Sequence, residues 1–133
     1  MTDASAPAAS RHRALIVEDD PAIRRLVEKL LTRSRIEIDT ASDGRTALEK
    51  LRSRPYSVLV LDLMVPELNG FEIIEFIKSE NLSVPVAVVS AVSQQALTKL
   101  DLDVVKLVIS KPFDVDEFTK AILTLCAENE APS

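Results

Sequence analysis

The chain has 133 residues, 47% hydrophobic and 28% charged, and its sixteen Lys and Arg against twenty-one Asp and Glu give a formal net charge of −5. That length suits one domain, and the acidity argues against a nucleic-acid binder working by general electrostatic attraction, which needs clustered positive charge. A single His (His12), a single Cys (Cys126) and two glycines exclude a Cys/His zinc site, a disulfide, a Cys–His dyad and a Gly-rich phosphate cradle, which leaves carboxylates, hydroxyls and lysine to carry any chemistry.

Residues 1–12 are Ala, Ser and Pro without apolar periodicity and read as a flexible tail, as do residues 128–133; one domain spans 13–127. Ala14-Leu15-Ile16-Val17 is a continuous apolar run closed by acids, a first strand. Asp20-Pro21 suits a helix N-cap followed by proline at the first helical position. Ile23, Leu26, Val27, Leu30 and Leu31 then form a helical stripe. Residues 36–40 alternate as a short strand, and Asp43-Gly44 opens a second helix with Ala47, Leu48 and Leu51. Residues 57–61 (SVLVL) predict another apolar strand, ending at Asp62. A loop with Pro66 and Asn69-Gly70 leads to a third helix carrying Ile73, Ile74 and Ile77. Residues 84–89 predict a buried strand with Pro85 at its entry. A polar helix over 93–100 and a last strand over 104–109 follow. Asp114, with Glu117 three residues on, caps a final helix striped by Val115, Phe118, Ile122 and Leu125; Cys126 beside that stripe reads as a small core residue. No apolar run approaches the ~18 residues of a membrane span, and no signal-peptide core follows the first residues.

Five β-α units with strands apolar on both faces predict a parallel sheet covered by helices on both sides, and right-handed crossovers make it doubly wound. In such folds the reactive site lies outside the carboxyl ends of the strands. Those ends carry Glu18-Asp19-Asp20, Asp62, Ser90 and Lys111. Each has an ordinary reading: Asp20 as a cap, Lys111 as a surface lysine, Ser90 as a strand-terminating hydroxyl. Asp62 fits none of these, because Leu63-Met64-Val65 follows it and no helix begins there. Adjacent first and third strands would crowd Glu18, Asp19 and Asp62, which repel one another when ionised. A hard divalent cation such as Mg²⁺ relieves that repulsion and leaves room for phosphate oxygens.

The runs LIVEDDPAIRRLV (15–27), LVLDLMVPELNG (59–70), VVSA (88–91) and ISKPF (109–113) resemble, in order and spacing, the receiver domain of two-component response regulators, over nearly all of residues 13–127. The resemblance implies a (βα)5 flavodoxin-like fold with a five-stranded parallel sheet in the order 2-1-3-4-5. It implies that Asp62 accepts a phosphoryl group from the phosphohistidine of a histidine kinase or a histidine phosphotransferase. Glu18, Asp19, Asp62 and the backbone carbonyl of Met64 would hold Mg²⁺, Ser90 would hydrogen-bond the phosphoryl group, and Lys111 would ion-pair with it. The Lys111–Pro112 bond would be the family's cis peptide. Kinase docking would fall near Ile23 and Arg24, and effector contacts near Gln94, Gln95, Lys99 and Lys106. Because the sequence stops soon after the last helix, it reads as a stand-alone, cytoplasmic receiver. It would signal through a downstream effector protein, without direct nucleic-acid contact or membrane insertion. It would catalyse only its own phosphorylation and dephosphorylation, and neither its oligomeric state nor its particular partners are specified.

Two positions depart from the family pattern. Val108, three before the lysine, stands where the family often has Tyr or Phe, so the usual hydroxyl–aromatic switch is not expected in its common form. The glycine often found before the last strand is replaced by Leu100-Asp101-Leu102-Asp103-Val104, which blurs the end of the fourth helix. Met64 and Val92, both apolar, sit at positions that flank the path of hydrolytic water in this family and imply slow self-dephosphorylation. Three other readings compete. A haloacid-dehalogenase-type phosphatase needs a second acid two residues after its aspartate, where this chain has Met64. A flavodoxin-like cofactor binder would find three acids where phosphate must sit. A phosphorylation-independent interaction module keeps the scaffold and ignores the acids.

Overall fold

The computed structural model describes residues 12–91 and 94–128. Of the tails read at residues 1–12 and 128–133, residues 1–11 and 129–133 lie outside the described residues, as do Val92 and Ser93, the expected start of the fourth helix; Glu128 closes the last helix. Three apolar runs form the middle of the sheet: β1 (Arg13–Val17), β3 (Val58–Leu61) and β4 (Val86–Ser90). The edges are β2 (Glu37–Ala41) and β5 (Val105–Ser110). All pairs are parallel, in the order β2-β1-β3-β4-β5, the topology the resemblance implies. The helices are α1 (Pro21–Arg33), α2 (Gly44–Ser53), α3 (Gly70–Ser79), the single turn α4 (Gln94–Leu97) and α5 (Val115–Glu128).

Alternate residues of the central strands feed two cores, as the period of two in a strand requires. Leu15, Val17, Leu59, Leu61 and Val88 face α2 and α3, while Ala14, Ile16, Val58, Val60 and Val89 face α1 and α5. The edge strands depart from the expectation of strands apolar on both faces. β2 is buried only at Ala41 and β5 only at Val105, because each has a neighbour on one side alone. The predicted fourth helix over 93–100 shrinks to one turn. Its apolar positions are few, and the acids after Leu100 favour a turn in which the Asp101 carboxylate accepts from the Asp103 amide at 2.8 Å. Pro85 precedes β4 and contributes only its carbonyl, which accepts from Leu59 at 3.0 Å. Among the described residues no helix is long and apolar enough to cross a membrane.

Capping fixes the helix starts. Asp20 accepts from the amides of Ala22 and Ile23, Asp43 from Thr46, and Asp114 from Glu117. Asn69 and Glu72 complete a reciprocal capping box. Both glycines of the chain clamp the loop between β3 and α3. A Cβ on Gly44 would lie 1.9 Å from the Leu68 carbonyl oxygen, and one on Gly70 would lie 2.6 Å from Leu63 Cα. Their amides donate to Pro66 and Leu63 at 3.0 and 2.9 Å. The loop that follows Asp62 is therefore pinned from both sides.

Candidate functional site

The carboxyl ends of β1 and β3 lie side by side, since Val17 pairs with Leu61 in the register. The next residue on each strand is an acid, Glu18 and Asp62. Backbone bonds carry the alignment one step further: the Asp62 amide donates to Val17 and the Glu18 amide to Ala41, each at 3.0 Å. Glu18 and Asp62 are buried, 4% and 7% exposed, while Asp19 stands at the open mouth. One carboxylate oxygen from each of these three lies within 4.8 Å of the others. The acids expected from the first and third strands therefore converge.

Ser90 ends β4, is 2% exposed and pairs with Ser110 in β5. The Lys111 amide donates to the Ser90 carbonyl at 3.0 Å, which ties the two strand ends together. The Lys111 ammonium turns back over the acids, 2.8 Å from Glu18 Oε1 and 3.2 Å from Asp62 Oδ2. Lys111 follows β5 rather than ending it, and its peptide bond to Pro112 is cis. The remaining oxygens are also held. Asp62 Oδ1 accepts from the Met64 amide at 3.0 Å, and Glu18 Oε2 from the Asp20 amide at 3.2 Å.

The charge balance is negative: three carboxylates face one lysine. Burial pushes the Glu18 carboxyl above its ordinary range, and the neighbouring Asp62 adds to that, against the Lys111 and Asp20 contacts. Burial would lower the Lys111 ammonium, but its bond to Glu18 and the charges of Asp62 and Glu18 outweigh that and raise it. Hard oxygen donors, close spacing and uncompensated negative charge are what a Mg²⁺ site asks of a protein, with water or phosphate oxygens completing the shell. The donor set fits such an ion.

Arg24 plays a part the sequence does not disclose. Its guanidinium donates to the carbonyl of Glu18 at 2.9 Å and to that of Asp19 at 3.4 Å, bracing the acidic turn from the first turn of α1. Its spacing from Glu18 matches no recognised motif, so only the folded backbone reveals it. Met64 is 64% exposed beside the mouth, and Val108 is 40% exposed on β5. Gln95, Lys99 and Lys106 are exposed, and the side chain of Gln94 lies outside what the structure describes. Cys126 is buried in the core shared with Phe118 and Ile122.

Residues 14–123 match the family model described as the response regulator receiver domain. Response regulator ArlR of Staphylococcus epidermidis is 34% identical over 110 residues, covering 81% of this chain and 49% of the relative. Its counterpart in Staphylococcus aureus is 36% identical with the same coverage. The chain thus spans about half the length of the curated relatives it matches. Among solved structures, the receiver domain of Francisella response regulator 1452 superposes with a TM-score of 0.83 at 25% identity, covering 90% of this chain and 99% of that one. Response regulator TrrA of Thermotoga maritima, solved in complex with Mg²⁺-BeF, superposes with a TM-score of 0.76 at 29% identity, covering 86% and 98%.

Proposed function

The chain belongs to the family of response regulator receiver domains, and on that premise we propose that Asp62 accepts a phosphoryl group from the phosphohistidine of a histidine kinase or histidine phosphotransferase. An Asp62 oxygen forms the new bond to phosphorus as the phosphorus–nitrogen bond breaks, and the imidazole nitrogen leaves with the electron pair. The observation that carries this reading is the convergence of Glu18, Asp19 and Asp62 under the Lys111 ammonium. Asp62 is held for the attack: the Met64 amide fixes Oδ1, which leaves Oδ2 beside Lys111. Lys111 exchanges a carboxylate partner for an oxygen of the incoming group, and the Ser90 hydroxyl donates to another. Charge is thereby met by groups already in place. Glu18, Asp19, Asp62 and the Met64 carbonyl would hold Mg²⁺, which when bound neutralises charge on the phosphoryl oxygens.

The catalytic scope is then the chain's own phosphorylation and dephosphorylation, and the signal is read by an effector protein. The exposed Met64 shields the acyl phosphate from water, so the phosphorylated state is long-lived. With Val108 in place of an aromatic, the signal leaves β5 without a swinging ring. The test is incubation with acetyl phosphate followed by intact-mass measurement. The reading expects one phosphoryl group per chain with Mg²⁺, and none with EDTA or in Asp62→Asn. A scaffold that works without phosphorylation would instead leave partner binding and cellular function unchanged in Asp62→Asn.

A further inference from the structure

We propose that Arg24 is a positioning residue that fits the acidic mouth to Mg²⁺ rather than Ca²⁺ by fixing the direction of the Asp19 carboxylate; this rests on the magnesium site of the proposed function. The three acids are not held alike. Glu18 is tied through Oε1 to Lys111 and through Oε2 to the Asp20 amide. Asp62 is tied through Oδ1 to the Met64 amide and through Oδ2 to Lys111. Asp19 is exposed, and among the described residues no hydrogen bond or ion pair restrains its carboxylate. Its aim is set by the backbone that carries it.

Arg24 holds that backbone. Its Nη1 donates to the Glu18 carbonyl at 2.9 Å and to the Asp19 carbonyl at 3.4 Å. One nitrogen thus spans the peptide planes on both sides of the Asp19 Cα, and fixing both planes fixes the Cα–Cβ direction. The plane after Asp19 has a second tie, the Asp20 amide on Glu18 Oε2 at 3.2 Å. The plane before it has Arg24 alone among the described residues. Arg24 is itself anchored, since its amide donates to the Asp20 carbonyl at 2.9 Å on the helix that Asp20 caps. A cation so near the start of α1 opposes the helix dipole, and no acid in the first turn offsets it. The carbonyl bonds, not the helix, account for its placement.

Charge and geometry pull in opposite directions here. A guanidinium beside the site repels any divalent cation, so by charge alone its removal would tighten binding. Geometry acts the other way, and unequally. Mg²⁺ demands a near-octahedral shell of oxygens at about 2.0–2.1 Å, whereas Ca²⁺ accepts irregular shells at about 2.3–2.6 Å. A mouth whose exposed ligand swings freely therefore loses more affinity for Mg²⁺ than for Ca²⁺. Groups that orient a metal ligand without touching the metal are worth about 10–100-fold in affinity, which is enough to outweigh one partly screened charge.

Isothermal titration calorimetry of the full chain with the chloride of Mg²⁺ or of Ca²⁺ alone tests this in Arg24→Ala, Arg24→Lys and Arg25→Ala. Arg25 is exposed, so its variant removes the same charge from the same helix without touching the turn. The proposal expects Arg24→Ala to weaken Mg²⁺ binding roughly tenfold and Ca²⁺ binding by less than about threefold. Arg24→Lys, which keeps the charge and a donor, should recover part of the Mg²⁺ loss. Arg25→Ala should leave both affinities within about twofold of wild type, as a screened surface charge would. The Mg²⁺ concentration that half-saturates labelling by acetyl phosphate should rise in Arg24→Ala by the same factor as the dissociation constant. Equal losses for the two ions overturn the proposal, because Arg24 would then serve the fold alone. Mg²⁺ bound by Arg24→Ala as tightly as by wild type, or an equal loss in Arg25→Ala, overturns it too. Should circular dichroism show Arg24→Ala unfolded, Arg24→Lys decides: a lowered preference for Mg²⁺ over Ca²⁺ supports the proposal, and an unchanged one overturns it. A wild type that binds no Mg²⁺ sinks the metal site and this proposal together; a wild type whose preference is indifferent to Arg24 sinks this proposal alone.

Discussion

Gly44→Ala sets two physical effects against each other. Gly44 is the first residue of α2 and its φ is not positive, so propensity alone favours alanine by up to about 1 kcal/mol. The added Cβ, however, would sit 1.9 Å from the Leu68 carbonyl oxygen and 2.7 Å from Leu68 Cβ. Backbone must then move by more than 1 Å, roughly, to restore van der Waals contact at ~3.5 Å. Overpacking of this kind costs about 1–3 kcal/mol, and straining the 3.0 Å bond from the Gly44 amide to Pro66 adds about 1 kcal/mol. The clash wins, and the net loss is about 1–3 kcal/mol after the propensity gain. The same displaced loop carries Met64, whose amide fixes Asp62 Oδ1, so acetyl phosphate labelling should slow as well. Urea unfolding by circular dichroism reads the stability, and timed intact-mass measurement reads the labelling. A variant as stable as wild type and labelled at the same rate would refute the idea that this glycine pins the loop after Asp62.

Replacing Met64 with Asn should shorten the lifetime of the phosphorylated protein severalfold, measured by loss of the mass increment after acetyl phosphate is removed; an unchanged lifetime counts against shielding by Met64. Lys111→Ala should slow labelling by at least tenfold, since it removes the ammonium that meets the phosphoryl oxygens, and a normal rate would show that Lys111 only balances Glu18 and Asp62. Asp43 gives a pH dependence. The Thr46 amide holds its carboxyl below the usual range, so the cap's contribution is full above the unfolded value and is lost as pH falls through the folded one. Asp43→Ala should cost about 1 kcal/mol at pH 7, with the difference closing below pH ~3.8; a constant difference down to pH 2 would contradict the assignment. Mg²⁺ at ten times its dissociation constant should stabilise the fold by about 1.4 kcal/mol, and Asp19→Ala should reduce that gain.

The central strands were legible because runs such as Leu59-Val60-Leu61 are too apolar and too short to be anything but buried strands. The acid at the end of each run then places the site, since the topology brings β1 and β3 together. The edges were less legible. Lys106 and Val108 alternate outward on β5, a pattern set by the absence of a second neighbour rather than by the local sequence. The one-turn α4 followed from a missing apolar stripe, which bounds a helix poorly. Arg24 reaching the carbonyls of Glu18 and Asp19 depends on the path of the turn, which composition does not encode. The glycines carried no warning either. Their φ angles are not positive, and what demands glycine is the approach of a loop some twenty residues away in the case of Gly44.

Locating the phosphoryl group tests the account most directly. After acetyl phosphate treatment, borohydride reduction converts an aspartyl phosphate to homoserine, and peptide mass spectrometry assigns its position. The prediction is homoserine at position 62 when Mg²⁺ is present and unmodified Asp62 when EDTA replaces it. A modification at any other residue, or one at Asp62 that EDTA leaves unchanged, would contradict the account.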